Sequence, residues 1–209
     1  AGSSAVADLR EGWTYFRTTP WLWIVVLAFS MICAVHQGGF FTLGPALAKG
    51  SALGERGWGL VLSAEALGLL VAGLVLLRVR LGRPLFWGML GTAVYGAPLV
   101  ALGLTDDLGI ALLAALAAGA GIGVFELAWN LAMQENVPPD MLSRAFSYDA
   151  LGSFAAIPLG QLLAGPLAVA FGLQRVMLVA GLLLTAVALL PLLSLSVRDL
   201  PREPQAQGA

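Results

Sequence analysis

Two acidic residues lie inside long apolar stretches of this sequence, where a charged side chain is costly. Glu126 lies within the stretch 108–134, and Glu65 lies within the stretch 58–77. A charged side chain at the centre of a bilayer costs about 2.5–3.5 kcal/mol on insertion scales, so intramembrane carboxylates are candidates for a functional site. At about 1.5 Å per residue, Glu126 would lie ~15 Å from the nearer end of its helix, close to the bilayer midplane.

Glu126 shares one helical stripe with four other small or polar residues. The stripe consists of Gly119, Gly123, Glu126, Asn130 and Gln134. Residues at these steps share one face of a helix, and Trp129 flanks it. A stripe facing lipid would be apolar, so we expect this face to meet other helices or water. Glu126, Asn130 and Trp129 are thus assigned to a substrate or proton cavity, and Gly119 and Gly123 to helix packing. The alternative is that a protonated Glu126 only hydrogen-bonds a neighbouring helix.

Three polar residues in other stretches are assigned to the same cavity: Glu65, Gln37 and Gln161. Small residues follow Glu65 at helical spacing, so a carboxyl buried in a helix interface is an equally good interpretation. His36 stands beside Gln37, and a lone histidine near a helix end is more often a packing residue than a proton relay. Asp149 precedes Gln161 near the end of its stretch, where water would solvate it.

The overall composition requires an apolar solvent. Hydrophobic residues make up 59% of the 209 residues and charged residues 11%, against about 45–50% and about 25% in soluble domains. We predict an all-α membrane protein with six spanning helices, near 21–46, 58–77, 84–104, 108–134, 146–170 and 173–195. Residues 1–20 are expected to form a cytoplasmic linker, either an interfacial helix carrying Leu9, Trp13 and Phe16 or a plain turn. Residues 196–209 are expected to be a disordered cytoplasmic tail.

The basic residues predict the orientation. Six spans put both ends of the chain on one side, together with eight of the eleven basic residues: Arg10, Arg17, Arg78, Arg80, Arg83, Arg144, Arg198 and Arg202. The other side holds Lys49, Arg56 and Arg175. The positive-inside rule therefore places both termini in the cytoplasm.

Other classes of protein are disfavoured by what the sequence contains. A net charge of −1 gives no basic surface for nucleic acid. One cysteine and one histidine cannot make an internal disulfide or a zinc site. The sequence has neither a Gly-x-Ser-x-Gly motif nor a P-loop, so we expect no protease, no ATP hydrolysis, no metal and no cofactor.

Polar stripes occur in the first, second, fourth and fifth stretches. The third and sixth carry few interior polar side chains and are expected to face lipid. This alternation repeats every three helices, as a three-plus-three inverted repeat would.

Three segments of the chain resemble the major facilitator superfamily, specifically its C-terminal six-helix half. The loop 78–84, Arg-Val-Arg-Leu-Gly-Arg-Pro, is similar to the family's cytoplasmic gating loop at Arg80, Gly82 and Arg83, although Val79 stands where the family has Asp. Residues 135–153 and the segment 8–13 resemble the branch of bacterial enterobactin exporters and macrolide-efflux proteins. Gly165-Pro166 resembles the Gly-Pro of an antiporter motif, where it serves helix packing.

The resemblance implies a secondary active transporter in a bacterial plasma membrane. We expect proton-driven efflux of small, partly apolar molecules by alternating access, with no enzymatic activity. The transport pathway of that family lies between two six-helix halves, so an N-terminal half or a second copy is expected as partner. The alternatives are a six-helix channel, a half-size transporter acting as a dimer, and a non-transporting membrane subunit.

Overall fold

All regular structure in the described part of the chain is helical. The computed structural model describes residues 5–79 and 81–200, with side chains in the first helix from Arg10 onward. Its elements are α1 Ala5–Thr18, α2 Pro20–His36, a π-helical segment Gln37–Leu43, α3 Gly44–Gly50, α4 Gly54–Leu76, α5 Pro84–Val94, α6 Ala97–Leu104, α7 Leu108–Asn136, α8 Pro139–Phe171, α9 Leu173–Leu189, a 3-10 turn Leu190–Leu193 and α10 Leu195–Arg198.

Six helical runs are long and apolar enough to cross a membrane. They are span 1 Pro20–Gly50, span 2 Gly54–Leu76, span 3 Pro84–Leu104, span 4 Leu108–Asn136, span 5 Pro139–Phe171 and span 6 Leu173–Leu193. The expected all-α architecture with six candidate spans is confirmed, whereas the inverted repeat stays a prediction. Span 5 begins seven residues before the expected position, because Pro139 occupies the first turn of its helix, where a missing N–H costs nothing.

The expectation that span 3 faces lipid is wrong. Within its most apolar window 56% of the residues are buried, against 17% in span 2 and 6% in span 5. Glycines hold span 3 against neighbours on two sides, since Gly91 lies against the backbone of Gly121 in span 4 and Gly96 against that of Gly181 in span 6. A helix poor in polar side chains can still be central, because small residues let neighbouring backbones approach closely.

Spans 1 and 3 are not continuous α-helices. Span 3 breaks after Val94, because Pro98 lacks the N–H that would continue the helical hydrogen bonds. Near the break, Thr185 of span 6 donates to the carbonyl oxygen of Ala93 at 2.9 Å. In span 1 the π-helical segment begins at Gln37, whose carbonyl oxygen accepts the Thr42 hydroxyl at 3.0 Å. Such segments often mark functional sites in otherwise α-helical spans.

The helix α1 packs against the first turns of α8. Arg144 Nη1 lies 2.8 Å from Glu11 Oε2, and the Phe16 ring lies 5.4 Å from that of Tyr148. Phe16 is buried in the bundle, whereas Trp13 is half exposed. Of the two conformations expected for the segment before span 1, a helix or a plain turn, the structure contains a helix. The side chain of Leu9 lies outside the described residues.

The chain beyond span 6 continues into the bundle as a short helix. Val197 of α10 is fully buried, and Asp199 pairs with Arg83 at 3.2 Å. The expected disorder is therefore wrong for residues 196–200, because an apolar side chain within the polar tail finds a place in the core. Residues 201–209 lie outside the described residues.

Candidate functional site

A groove between spans 2 and 4 carries the stripe centred on Glu126. Its closed end forms where Gly119 packs on the carbonyl oxygen of Glu65 and where Gly68 packs on that of Leu116. At Gly123 a Cβ atom would lie 3.0 Å from the Cβ of Ala72. The two helices are thus held together by small residues over about two turns.

Beyond this contact the groove opens to a volume of about 550 Å³. Its walls are mainly leucine side chains of span 2, and Glu126 and Asn130 line its other side. Both residues are exposed, and the Asn130 side-chain amide donates to the carbonyl oxygen of Glu126 at 2.8 Å. Within the described residues no cation pairs with the Glu126 carboxyl group. The groove is therefore apolar with one uncompensated carboxyl on its wall.

A buried polar cluster lies at the centre of the bundle. Tyr95, placed by the break in span 3, lies beside the side chain of Glu65. On its other side Tyr95 stacks on His36, with ring centroids 3.9 Å apart. Among the described residues, Glu65 Oε2 and His36 Nε2 are buried without a hydrogen-bond partner. Spans 1, 2 and 3 thus each contribute one protonatable side chain to one cluster.

Stacked aromatic rings connect spans 1 and 4, and a hydrogen bond connects span 4 to span 5. The rings of Phe29 and Phe125 stack at 4.5 Å, and Phe125 stacks in turn on Trp129 at 6.2 Å. Trp129 Nε1 donates to Asp149 Oδ2 at 3.0 Å, which ties span 4 to span 5. Trp129 and Phe125 are buried and do not line the groove, so the structure separates Trp129 from Glu126 and Asn130.

These six spans and their polar interior agree with the result of a comparison with protein families. A model of the Major Facilitator Superfamily matches residues 2–160. The chain belongs to this superfamily. The match runs from the N-terminal region into span 5. Comparison with curated proteins gave no match, and neither did comparison with solved structures.

Members of the Major Facilitator Superfamily are transporters rather than enzymes. The protein is accordingly a multi-pass membrane transporter, which sits in a lipid bilayer and acts on small molecules.

The family's cytoplasmic loop is only partly described in this chain. Arg80 lies outside the described residues, and Gly82 is exposed with open space around its Cβ position. Arg83 forms its ion pair with Asp199, a residue near the end of the described chain. Arg83 therefore has an acidic partner. This partner lies after span 6, and not at position 79, where the family has Asp and this chain has Val.

The remaining predicted residues lie apart from the groove. Gln37 begins the π-helical segment and is half-buried, while Gln161 is exposed on span 5. Gly165 faces open space, with no described atom within 4 Å of its Cβ position, and Pro166 beside it is also exposed. Neither of these last two contributes the helix packing that was expected of them within the described chain.

Sequence reasoning missed Tyr95 as a site residue and expected water around Asp149, which instead accepts a hydrogen bond from Trp129. The stacked rings around His36 agree with its interpretation as a packing residue. Tyr95 is one of very few polar side chains in span 3, and Pro98 three residues later signals the break that places it. A polar residue at a helix break was the signal available. Contact between Trp129 and Asp149 had no signal, since they lie on different helices.

Tyr15 of α1 is a titratable residue outside the spans whose surroundings favour its neutral form. The Tyr15 hydroxyl donates to the carbonyl oxygen of Asn136 at 3.5 Å, where span 4 ends. Burial raises the pKa of the Tyr15 phenol above its usual range, and the charge of Asp140 raises it further. The phenol therefore keeps the proton that it donates.

Proposed function

We propose that the protein is a proton-coupled exporter of small, partly apolar molecules, in which these six helices form one of two bundles. The second bundle is an N-terminal half or another copy of the chain. Its siting in a bacterial plasma membrane, with both termini cytoplasmic, belongs to the same proposal. The branch that the sequence resembles suggests macrolides and catechol siderophores as the first substrates to test.

The observation that carries this proposal is the uncompensated Glu126 carboxyl group on the wall of an apolar groove. A carboxylate in an apolar membrane environment needs a cation, a proton or water to offset its desolvation. Protonation of Glu126 would neutralise the wall and release a cationic or polar substrate. Loss of the proton would restore the charge and favour binding again. Proton and substrate would thus compete for one group, as antiport requires.

The wide exposure of span 2 supports a second bundle. Its most apolar window is only 17% buried, against 39% in span 4, which forms the other wall of the groove. Span 2 forms one wall of the groove, so a bundle covering that face would enclose the Glu126 carboxyl group. Rocking of the two bundles would then open the groove to each side of the membrane in turn.

The test is efflux by the complete natural protein in inverted membrane vesicles, driven by an imposed proton gradient. Glu126→Gln keeps the size of the side chain and removes its charge, and we expect it to abolish coupled efflux while expression is unchanged. Glu65→Gln tests in the same way whether the carboxyl group of the buried cluster is needed for coupled efflux. Glu55→Gln is the matched control, since Glu55 is exposed at the first turn of span 2. Unchanged proton-driven efflux in Glu126→Gln would refute the role of this carboxyl.

Assays of the 209-residue chain by itself, reconstituted in liposomes, distinguish the alternative functions. A six-helix channel predicts ion conductance from the chain by itself. A half-size transporter predicts substrate uptake together with a dimer in cross-linking, and a non-transporting subunit predicts neither activity even when a second bundle is supplied.

A further inference from the structure

A second cavity lies on the other side of the bundle, away from Glu126. It has a volume of about 630 Å³ and is bounded by spans 1, 5 and 6. Its lining is apolar apart from a single charged residue, Arg175, in the first turn of span 6. The transport function proposed above does not use this cavity.

The floor of this cavity is fixed by direct contact between backbones. Gly160 of span 5 lies against the carbonyl oxygen of Ala34 in span 1, and Gly38 lies against the carbonyl group of Gly160. Span 6 forms the remaining wall with Val179 and Leu183. Because the close approach involves backbone atoms, the separation of spans 1 and 5 at the floor does not depend on side-chain rotamers.

The dimensions of the cavity match one leaflet of a bilayer. It runs along span 5 from Phe171, at the end of the helix, to Leu159. Twelve residues of helix correspond to about 18 Å, and half of a hydrocarbon core of about 30 Å is ~15 Å. An acyl chain that entered beside the turn at Gly172 would therefore be covered over its length within that leaflet.

The charge at the mouth of the cavity selects the head group. Arg175 is exposed, and within the described residues no carboxylate pairs with it. Its place in the first turn of α9 adds the positive end of the helix dipole to the guanidinium charge. Arginine also binds phosphate oxygens in a bidentate manner. Apolar walls below a lone cation are complementary to an anionic amphiphile.

We propose that the cavity between spans 1, 5 and 6 binds one acyl chain of an anionic phospholipid, whose phosphate pairs with Arg175. In the orientation proposed above, this lipid belongs to the outer leaflet. The site is independent of the Glu126 groove, so it stands or falls separately from the transport mechanism.

The first test measures lipid binding to the delipidated full chain by native mass spectrometry. We expect phosphatidylglycerol to be retained in preference to phosphatidylcholine of the same acyl chains. Arg175→Gln should weaken the phosphatidylglycerol complex about fivefold, the factor expected for one basic residue at a membrane surface. Arg175→Lys should keep most of the preference. Arg56→Gln is the matched control, because Arg56 is exposed in the first turn of span 2 but does not line the cavity.

The second test fills the cavity instead of changing its charge. Leu163 lines the cavity and Leu162, its neighbour on span 5, does not, although both are exposed. Leu163→Trp should lower the amount of retained phosphatidylglycerol, whereas Leu162→Trp should leave it unchanged. Equal retention of the two lipids, or equal losses in Arg175→Gln and Arg56→Gln, would overturn the proposal. So would a Leu163→Trp variant that loses self-association rather than lipid, since the occupant would then be a second copy.

Discussion

Single residues show how differently the two intramembrane carboxyls are placed. Glu126 is exposed on the wall of a groove, whereas Glu65 is half-buried beside Tyr95. The spacing of polar residues along each stretch was enough to identify both. It could not identify Tyr95 and His36 as neighbours of Glu65, because a contact between spans depends on how the helices rotate and cross. Trp129 illustrates the same limit, since it flanks the stripe in sequence yet lies buried away from the groove.

The bond between Trp129 and Asp149 gives a prediction at this scale. Trp129→Phe keeps an aromatic ring and removes the Nε1 donor, so we expect the free energy of unfolding to fall by about 0.6–1.7 kcal/mol, as for other hydrogen bonds between membrane helices. Unfolding of the purified chain in mixed micelles, followed by circular dichroism, measures this.

A double-mutant cycle with Asp149→Ala isolates the bond from the change in packing. The coupling energy should have about the size of that loss. Purely additive effects of the two substitutions would mean that the bond contributes nothing to stability.

At the scale of helices, small residues decide which spans are neighbours. Gly119 and Gly68 bring spans 2 and 4 into backbone contact, and Gly91 and Gly96 make span 3 central. Counting polar side chains could not show this, because an apolar helix suits lipid and protein neighbours equally well. Glycines show where a neighbouring helix can approach closely, but their number does not predict how buried a span is, because the exposed span 2 also contains several.

Gly119→Ala tests this packing. The added Cβ would meet the carbonyl oxygen of Glu65, and overpacking of this kind costs about 1–3 kcal/mol of unfolding free energy. The loss should appear as unfolding at a lower denaturing-detergent fraction. Gly73→Ala in span 2 is the control, because its Cβ position has open space around it. It should be neutral or gain up to about 1 kcal/mol from helix propensity. Equal behaviour of the two variants would contradict the packing argument.

For the whole molecule, the bias of basic residues and the number of spans set the proposed orientation. Among the described residues, ion pairs between different segments gather at the end expected in the cytoplasm, including Glu11 with Arg144 and Arg83 with Asp199. They tie α1 to span 5, and the loop before span 3 to the segment after span 6. Exposed pairs contribute little stability, about 0–1 kcal/mol each, so we expect these contacts to add little to the free energy of unfolding.

Cysteine labelling tests the orientation in cells that express the complete natural protein. In a background that carries Cys33→Ser, Ala52→Cys lies in the turn between spans 1 and 2, and Ser143→Cys lies in the first turns of α8. An impermeant maleimide should label the first in intact cells and the second only after permeabilisation. The positive-inside rule gives the reason, and the reverse pattern would overturn the orientation.

The sequence by itself determined the solvent, the six spans and the location of both intramembrane carboxyls. These properties follow from composition and from periodicity along one helix, which are local. Tertiary structure decided that span 3 is central, that Tyr95 lies between Glu65 and His36, and that Val197 anchors the segment after span 6. It also created the apolar cavity below Arg175. Each of these depends on how helices pack against one another, and in a lipid solvent that packing depends on shape more than on hydrophobicity.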